Sequence, residues 1–114
     1  MKWTRELTGR GDEFASALAF DERDDRLFLV GTFLQQIEGT PSRGKRDAFV
    51  ATIDRAGSSP RVRTFGTPEK ELGKRLAIPP RTGAPVVCGL TGGDLIGGGH
   101  RGYHDGYLLR LPAR

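Results

Sequence analysis

Both histidines of this 114-residue chain fall in one stretch, Gly97-Gly98-Gly99-His100-Arg101-Gly102-Tyr103-His104-Asp105, which is the part best supplied with groups for chemistry. Imidazole, carboxylate and guanidinium groups behind a glycine run suit a metal, a phosphate or a sugar. The spacing weighs against metal: His100 and His104 stand four apart, which aligns two imidazoles on a helix but not in a glycine-rich loop, and no third ligand has a defined place beyond Asp105. No Gly-Lys-Ser/Thr follows the glycines, so a Walker phosphate loop is excluded. A small polar ligand such as a carbohydrate fits better. Tyr103, or Trp3 near the N-terminus, offers a ring to stack on a sugar face, and Arg101 and His100 can donate hydrogen bonds, with His104 in the same stretch. The expected ligand residues are therefore His100, Arg101, Tyr103, His104 and Trp3, with no metal and no cofactor.

Other chemistry finds less support. Asp21-Glu22-Arg23-Asp24-Asp25 is acidic but lacks the alternating order of a calcium loop, and reads as a solvated hairpin turn. Cys88, between Val87 and Gly89, reads as a small buried apolar residue, and a lone cysteine makes no internal disulfide. There is no Gly-x-Ser-x-Gly elbow for a serine nucleophile, so the chain is not expected to be an enzyme. Net charge is +4, and Arg43-Gly44-Lys45-Arg46 is basic, but charges of both signs are interspersed and the aromatics lie away from that cluster. Weak anion attraction follows; specific nucleic-acid readout does not. No window approaches the roughly 18 apolar residues of a membrane span, and Met1-Lys2-Trp3-Thr4-Arg5-Glu6 opens into charge, so no membrane insertion and no signal peptide are expected. The compartment is left open.

The elements that must position these residues come in two copies. Residues 1–56 superpose on 59–114 at an offset of 58 without a gap, with ten identities: Arg5/Arg63, Glu13/Glu71, Leu18/Leu76, Ala19/Ala77, Arg23/Arg81, Gly31/Gly89, Gly39/Gly97, Arg43/Arg101, Gly44/Gly102 and Asp47/Asp105. Apolar character is kept at Phe14/Leu72, Phe20/Ile78, Phe28/Val86, Leu29/Val87, Phe49/Tyr107, Val50/Leu108 and Ile53/Leu111. The loop around His100 duplicates Pro41-Ser42-Arg43-Gly44-Lys45-Arg46-Asp47, in which both histidines are replaced while Arg, Gly and Asp stay. Arg43, Gly44, Asp47, Arg101, Gly102 and Asp105 are thus expected to build a repeated turn, with Gly at positive φ and Asp bonding local amides.

Each unit reads as strands separated by turn residues, and the expected class is all-β. The first unit offers Trp3–Leu7, Phe14–Asp21, Leu27–Phe33, Ala48–Asp54 and then Val62–Phe65; the second offers Leu72–Ile78, Pro85–Leu90 and Gly106–Leu111. Leu27-Phe28-Leu29-Val30 is apolar without alternation, as in a strand covered on both faces. A helix over Glu13–Phe20 is the competing reading, but its second copy carries Gly73 and stops at Pro79-Pro80.

Trp3, Gly9-Arg10-Gly11-Asp12, Ala15, Ala17, Ala19-Phe20-Asp21, Leu27-Phe28-Leu29-Val30-Gly31-Thr32-Phe33 and Asp47-Ala48-Phe49-Val50-Ala51-Thr52-Ile53-Asp54 with Gly57 resemble the SBBP-type bacterial β-propeller repeat. The likeness spans both units and is closer in the first; in the second, Gly66-Thr67-Pro68-Glu69-Lys70 and Pro79-Pro80 depart from it. The resemblance implies four-stranded antiparallel blades around an axis and relatives that are often exported, but no particular activity. A blade is covered on both faces by its neighbours, so two blades, residues 1–114 as one segment, leave outer faces bare. The second blade also lacks a counterpart of Val62–Phe65, while Trp3–Leu7 is a strand without a blade. The expectation is a cyclic homo-oligomer, a trimer before a tetramer, in which residues 3–7 of one chain complete the second blade of the next. In that ring Trp3 is more simply an anchor between blades than a sugar platform. Function reads as a non-enzymatic scaffold presenting repeated loops, lectin-like or for surface interaction; the alternative is a piece of a longer propeller with no ligand.

Overall fold

The computed structural model describes residues 3–58, 60–95 and 103–112. Among them there is no helix. Nine strands form: β1 (Glu13–Asp21), β2 (Arg26–Phe33), β3 (Gln36–Ile37), β4 (Thr40–Pro41), β5 (Asp47–Asp54), β6 (Arg61–Phe65), β7 (Glu71–Ala77), β8 (Val86–Thr91) and β9 (Asp105–Arg110). They make an antiparallel four-stranded sheet in the order β1-β2-β5-β6, a three-stranded antiparallel sheet β7-β8-β9, and a two-stranded ribbon β3-β4. Seven strands fall within a residue of their expected bounds. The ribbon lies in a stretch for which no strand was expected, because two residue pairs, Gln36↔Pro41 and Ile37↔Thr40, are too short to show a period.

Alternation along the strands sorts the core into two layers. In the first sheet Phe28, Val30, Ala48 and Val50 face the second sheet, where Val87, Tyr107, Leu76 and Leu109 meet them. Phe65 closes this layer edge-on to Tyr107, with ring centroids 5.9 Å apart at 84°. The alternate residues of the first sheet, Phe33, Phe49, Ala51 and Leu29, point the other way and pack with Ile37 and Leu7. Hence β2 and β5 are covered on both sides and carry unbroken apolar runs. The alternate residues of the second sheet have less cover: Leu108 is 73% exposed, and Cys88, its Cα partner, is only half-buried. The expectation that Cys88 is a buried core residue is corrected on this point, for it is only half-buried beside the exposed Leu108.

The segment 3–7 is not a strand. Its Leu7 packs on the outer layer of the first sheet, and the segment joins no ladder. Two of its side chains are tied to the turn after β5: the Trp3 indole N–H donates to the Arg55 carbonyl at 2.9 Å and Arg5 donates to the Gly57 carbonyl, while just beyond the segment the Glu38 N–H reaches the Thr8 carbonyl at 2.7 Å.

Irregularities recur at fixed separation. β1 carries a bulge at Ser16, between Ala15 and Ala17, and β7 carries one at Lys74, between Gly73 and Arg75. Gly31 and Gly89 each sit where an added Cβ would strike the neighbouring strand's carbonyl oxygen, Phe14 in one case and Leu72 in the other. The aromatic paired with each, Phe49 or Tyr107, lies over the same point. Gly31→Ala and Gly89→Ala should therefore each lower stability by about 1–3 kcal/mol through overpacking. Gly106→Ala, whose Cβ would meet only the Gly89 carbonyl at 3.9 Å, should cost little. Urea unfolding of the three variants checks this; an equal midpoint for all three would contradict it.

Candidate functional site

The loop expected to hold a ligand runs into β9. Tyr103 is 93% exposed and its ring lies 5.5 Å from that of His104, tilted by 34°. Asp105 begins β9 opposite Thr91. His100, Arg101 and Gly102 lie outside the described residues. Trp3 is not part of this cluster: its indole covers Gly57 at the turn after β5 and bonds the Arg55 carbonyl, whereas Tyr103 and His104 precede β9. The structure brings Tyr103 and His104 together and assigns Trp3 to a different turn.

The counterpart turn in the first unit is folded around a carboxylate. Asp47 is fully buried at the start of β5, and its Oδ2 accepts the Arg43 N–H at 2.6 Å. Gly66 packs so close that a Cβ there would overlap the Asp47 carboxylate. Asp47 Oδ1 has no hydrogen-bond partner among the described residues. Gly44 does not take a positive φ, which corrects the expectation for that glycine; it is needed because a Cβ would collide with the backbone of Thr67 and Pro68.

Across the seam lies a second buried carboxylate that the motif reading passed over. Glu71, at the first position of β7, is fully buried and accepts three bonds: from the Thr67 N–H at 2.7 Å, the Thr67 hydroxyl at 2.6 Å and the Thr91 hydroxyl at 2.8 Å. Its own N–H donates to the Arg46 carbonyl at 2.9 Å, beside an isolated parallel bridge between Arg46 and Lys70. The signal available in sequence was the Glu13/Glu71 identity, but Glu13 itself is only half-buried, so identity did not mean one environment. These three bonds to the Glu71 carboxylate all come from the protein's own donors, the Thr67 N–H and the two threonine hydroxyls.

The acidic turn Asp21–Asp25 closes the β1–β2 hairpin. Asp21 accepts from the Arg23 N–H and from Arg26 Nε, both at 3.1 Å, and Arg26 in turn lies over the Phe28 ring at 4.8 Å. Among the described residues no group of three or more His, Cys, Asp or Glu side chains could hold a metal ion, and no helix is long and apolar enough to cross a membrane. No protein-family model matches the chain, and no curated protein matches it significantly.

Burial pushes the Asp47 carboxyl above its ordinary range, the Arg43 N–H opposing and the Glu71 charge adding to the shift. Glu13 is raised for the same leading reason, reinforced by Asp12 and Glu38. For both, the folded chain holds protons more tightly than the unfolded one, so their contribution to stability grows as pH falls from the raised folded value toward the ordinary carboxylate pKa of about 4. Asp54 has the opposite sign: bonds from Ser58 lower it, and its contribution is lost only as pH falls through the lowered value. Thermal midpoints should thus rise as pH falls from neutral toward about 4, and less so in Asp47→Asn. Melting curves of parent and variant across that window check it; identical pH slopes would remove Asp47 from the account.

Proposed function

We propose that the chain is a non-enzymatic scaffold built on β-propeller lines, with two blade-like units per chain, which closes into a head-to-tail ring of its own copies and presents repeated loops for binding. One observation carries the reading. The face of the first sheet that is buried inside the chain consists of Phe28, Val30, Ala48 and Val50, and the residues 58 further on, Val86, Cys88, Gly106 and Leu108, form the bare face of the second sheet. Conversely, the covered residues Val87, Tyr107, Leu109 and Leu76 correspond to Leu29, Phe49, Ala51 and Leu18 on the outer side of the first sheet, where Leu18 is 67% exposed. Phe49 and Ala51 are already covered by Leu7 and Ile37, so the bare face of one copy would meet the outer side of another along β1, at Leu18.

The N-terminal segment supports the same geometry. Leu7 packs on the outer layer of the first sheet as Phe65, 58 residues on, packs on the layer between the sheets. Arg5 reaches the Gly57 carbonyl beyond β5, and Arg63 on β6 reaches the Pro112 carbonyl beyond β9 at 2.5 Å. Segment 3–7 thus sits against the first sheet as β6 sits against the second, in the place of an outer strand of a preceding blade. The strand it would pair with is β9 of another copy, which is an edge among the described residues. Turn contacts agree: Arg23 donates to the Arg81 carbonyl at 2.7 Å, and Arg81 is the residue that would make that bond to the next copy. Propellers close with about four to eight blades, so three copies are favoured and four come next. Tyr103 and His104, exposed on each copy, are the natural contact points for a carbohydrate or surface ligand, with His100 and Arg101 in the same loop, and repetition would raise avidity by about 10²–10⁴.

Native mass spectrometry should find three or four times the 12.4 kDa chain. Leu108→Glu, and separately removal of residues 1–8, should yield smaller or insoluble species. A folded monomer at micromolar concentration, with Leu108→Glu indistinguishable from it, would end the ring. On a glycan array, signal lost in Tyr103→Ala supports the ligand role; a parent chain that binds no glycan leaves a scaffold without it.

A further inference from the structure

The two bulges converge on one cleft. Ser16 of β1 and Lys74 of β7, the unpaired residues of their bulges, both line a cavity of about 220 Å³ between the sheets. Bulges re-aim side chains out of the strand pattern, and here they bring Ser16 and Lys74, a hydroxyl-bearing and an ammonium-bearing residue, to the lining of one space. Arg46, at the parallel bridge between the units, adds a guanidinium. Thr32, buried in the wall, accepts the Gly73 N–H at 3.1 Å and keeps its own hydroxyl proton to donate. Phe14, 49% exposed, and half-buried Leu72 supply apolar walls. No lining residue is acidic, and neither Arg46 nor Lys74 has an ion-pair partner among the described residues.

We propose that this cleft is a binding site for a small organic anion, with a carboxylate or phosphoryl head held by Arg46, Lys74 and the Ser16 and Thr32 hydroxyls, and an apolar body resting on Phe14 and Leu72. Two cations brought to one cleft repel each other, and an anionic head relieves that repulsion while accepting charge-assisted hydrogen bonds. The cavity holds a ligand of about ten heavy atoms, and its open mouth keeps affinity modest, with Kd on the order of 0.1–1 mM. The site lies within one chain and does not depend on the ring.

Amide NMR titrations of the full chain with phenyl phosphate, benzoate, inorganic phosphate and benzyl alcohol test it. Phenyl phosphate or benzoate should shift the amides of Ser16, Thr32, Gly73 and Lys74, and the better of the two identifies the head group. Inorganic phosphate and benzyl alcohol should each bind at least about tenfold more weakly, since each lacks half of the recognition. Arg46→Gln and Lys74→Gln should each weaken the better ligand by roughly tenfold, whereas Arg61→Gln, an equal loss of charge on β6, should not. No localised shift up to about 10 mM, shifts centred elsewhere, or an unchanged Kd in Lys74→Gln overturns the proposal. If Arg46→Gln fails to fold, Lys74→Gln alone decides, because Lys74 is exposed and makes no side-chain contact that folding needs. Mass measured on the same samples separates this outcome from the fate of the ring: a monomer that binds phenyl phosphate keeps the site and loses the assembly.

Discussion

The close approach of β7 to the first sheet is the constraint on which the remaining structure hangs. A Cβ on Gly73 would lie 2.7 Å from the Gly31 carbonyl oxygen and 2.8 Å from Val30 Cγ2, so only glycine lets the two backbones come this near. At that point the Gly73 N–H donates to the Thr32 hydroxyl, which satisfies a buried amide the bulge removes from its own ladder. With β7 fixed there, Val87 and Tyr107 drop onto Phe28, Val30, Ala48 and Val50, and Glu71 arrives where Thr67 and Thr91 can bond it. The Tyr107 hydroxyl donates to the Leu72 carbonyl at 2.9 Å, and its burial holds the phenol well above its ordinary pKa, so it stays neutral under any physiological condition.

Much of this was legible because strands announce themselves through apolar runs bounded by turn residues. The seven long strands, the all-β class and the hairpin at Asp21–Asp25 follow from that alone. The segment Trp3–Leu7 misled because strand character is a statement about pairing, and the pattern cannot say whether a partner is within reach; here the segment joins no ladder. Cys88 misled for a related reason: burial was inferred from Val30, its counterpart, yet a face is buried only if something covers it. The candidate site was the least legible. Tyr103 and His104 stood out by type, but Glu71, Thr67 and Thr91 are ordinary residues made into a unit by the turn that brings them together, and the Ser16–Lys74 cleft depends on two bulges that no composition signals.

Units that share a register need not share a role. Glu13 and Glu71 occupy the same position in β1 and β7, yet Glu71 accepts three bonds while a buried oxygen of Glu13 accepts none among the described residues. The difference lies at their neighbours: Thr67 and Thr91 beside Glu71 correspond to Gly9 and Phe33 beside Glu13, which offer no hydroxyl. The carboxylate between the units is therefore satisfied by the chain itself, and the one at the outer end is not.

Side-chain volumes on the two corresponding faces can be compared directly. On the covered face of the first sheet Val30 and Val50 are Cα partners; on the bare face of the second the corresponding partners are Cys88 and Leu108. One residue is smaller and the other larger by comparable amounts, so the pair fills much the same space as two valines. A surface meant for water has no reason to conserve apolar volume across a strand pair, and Leu108, 73% exposed, would be better replaced by a polar residue.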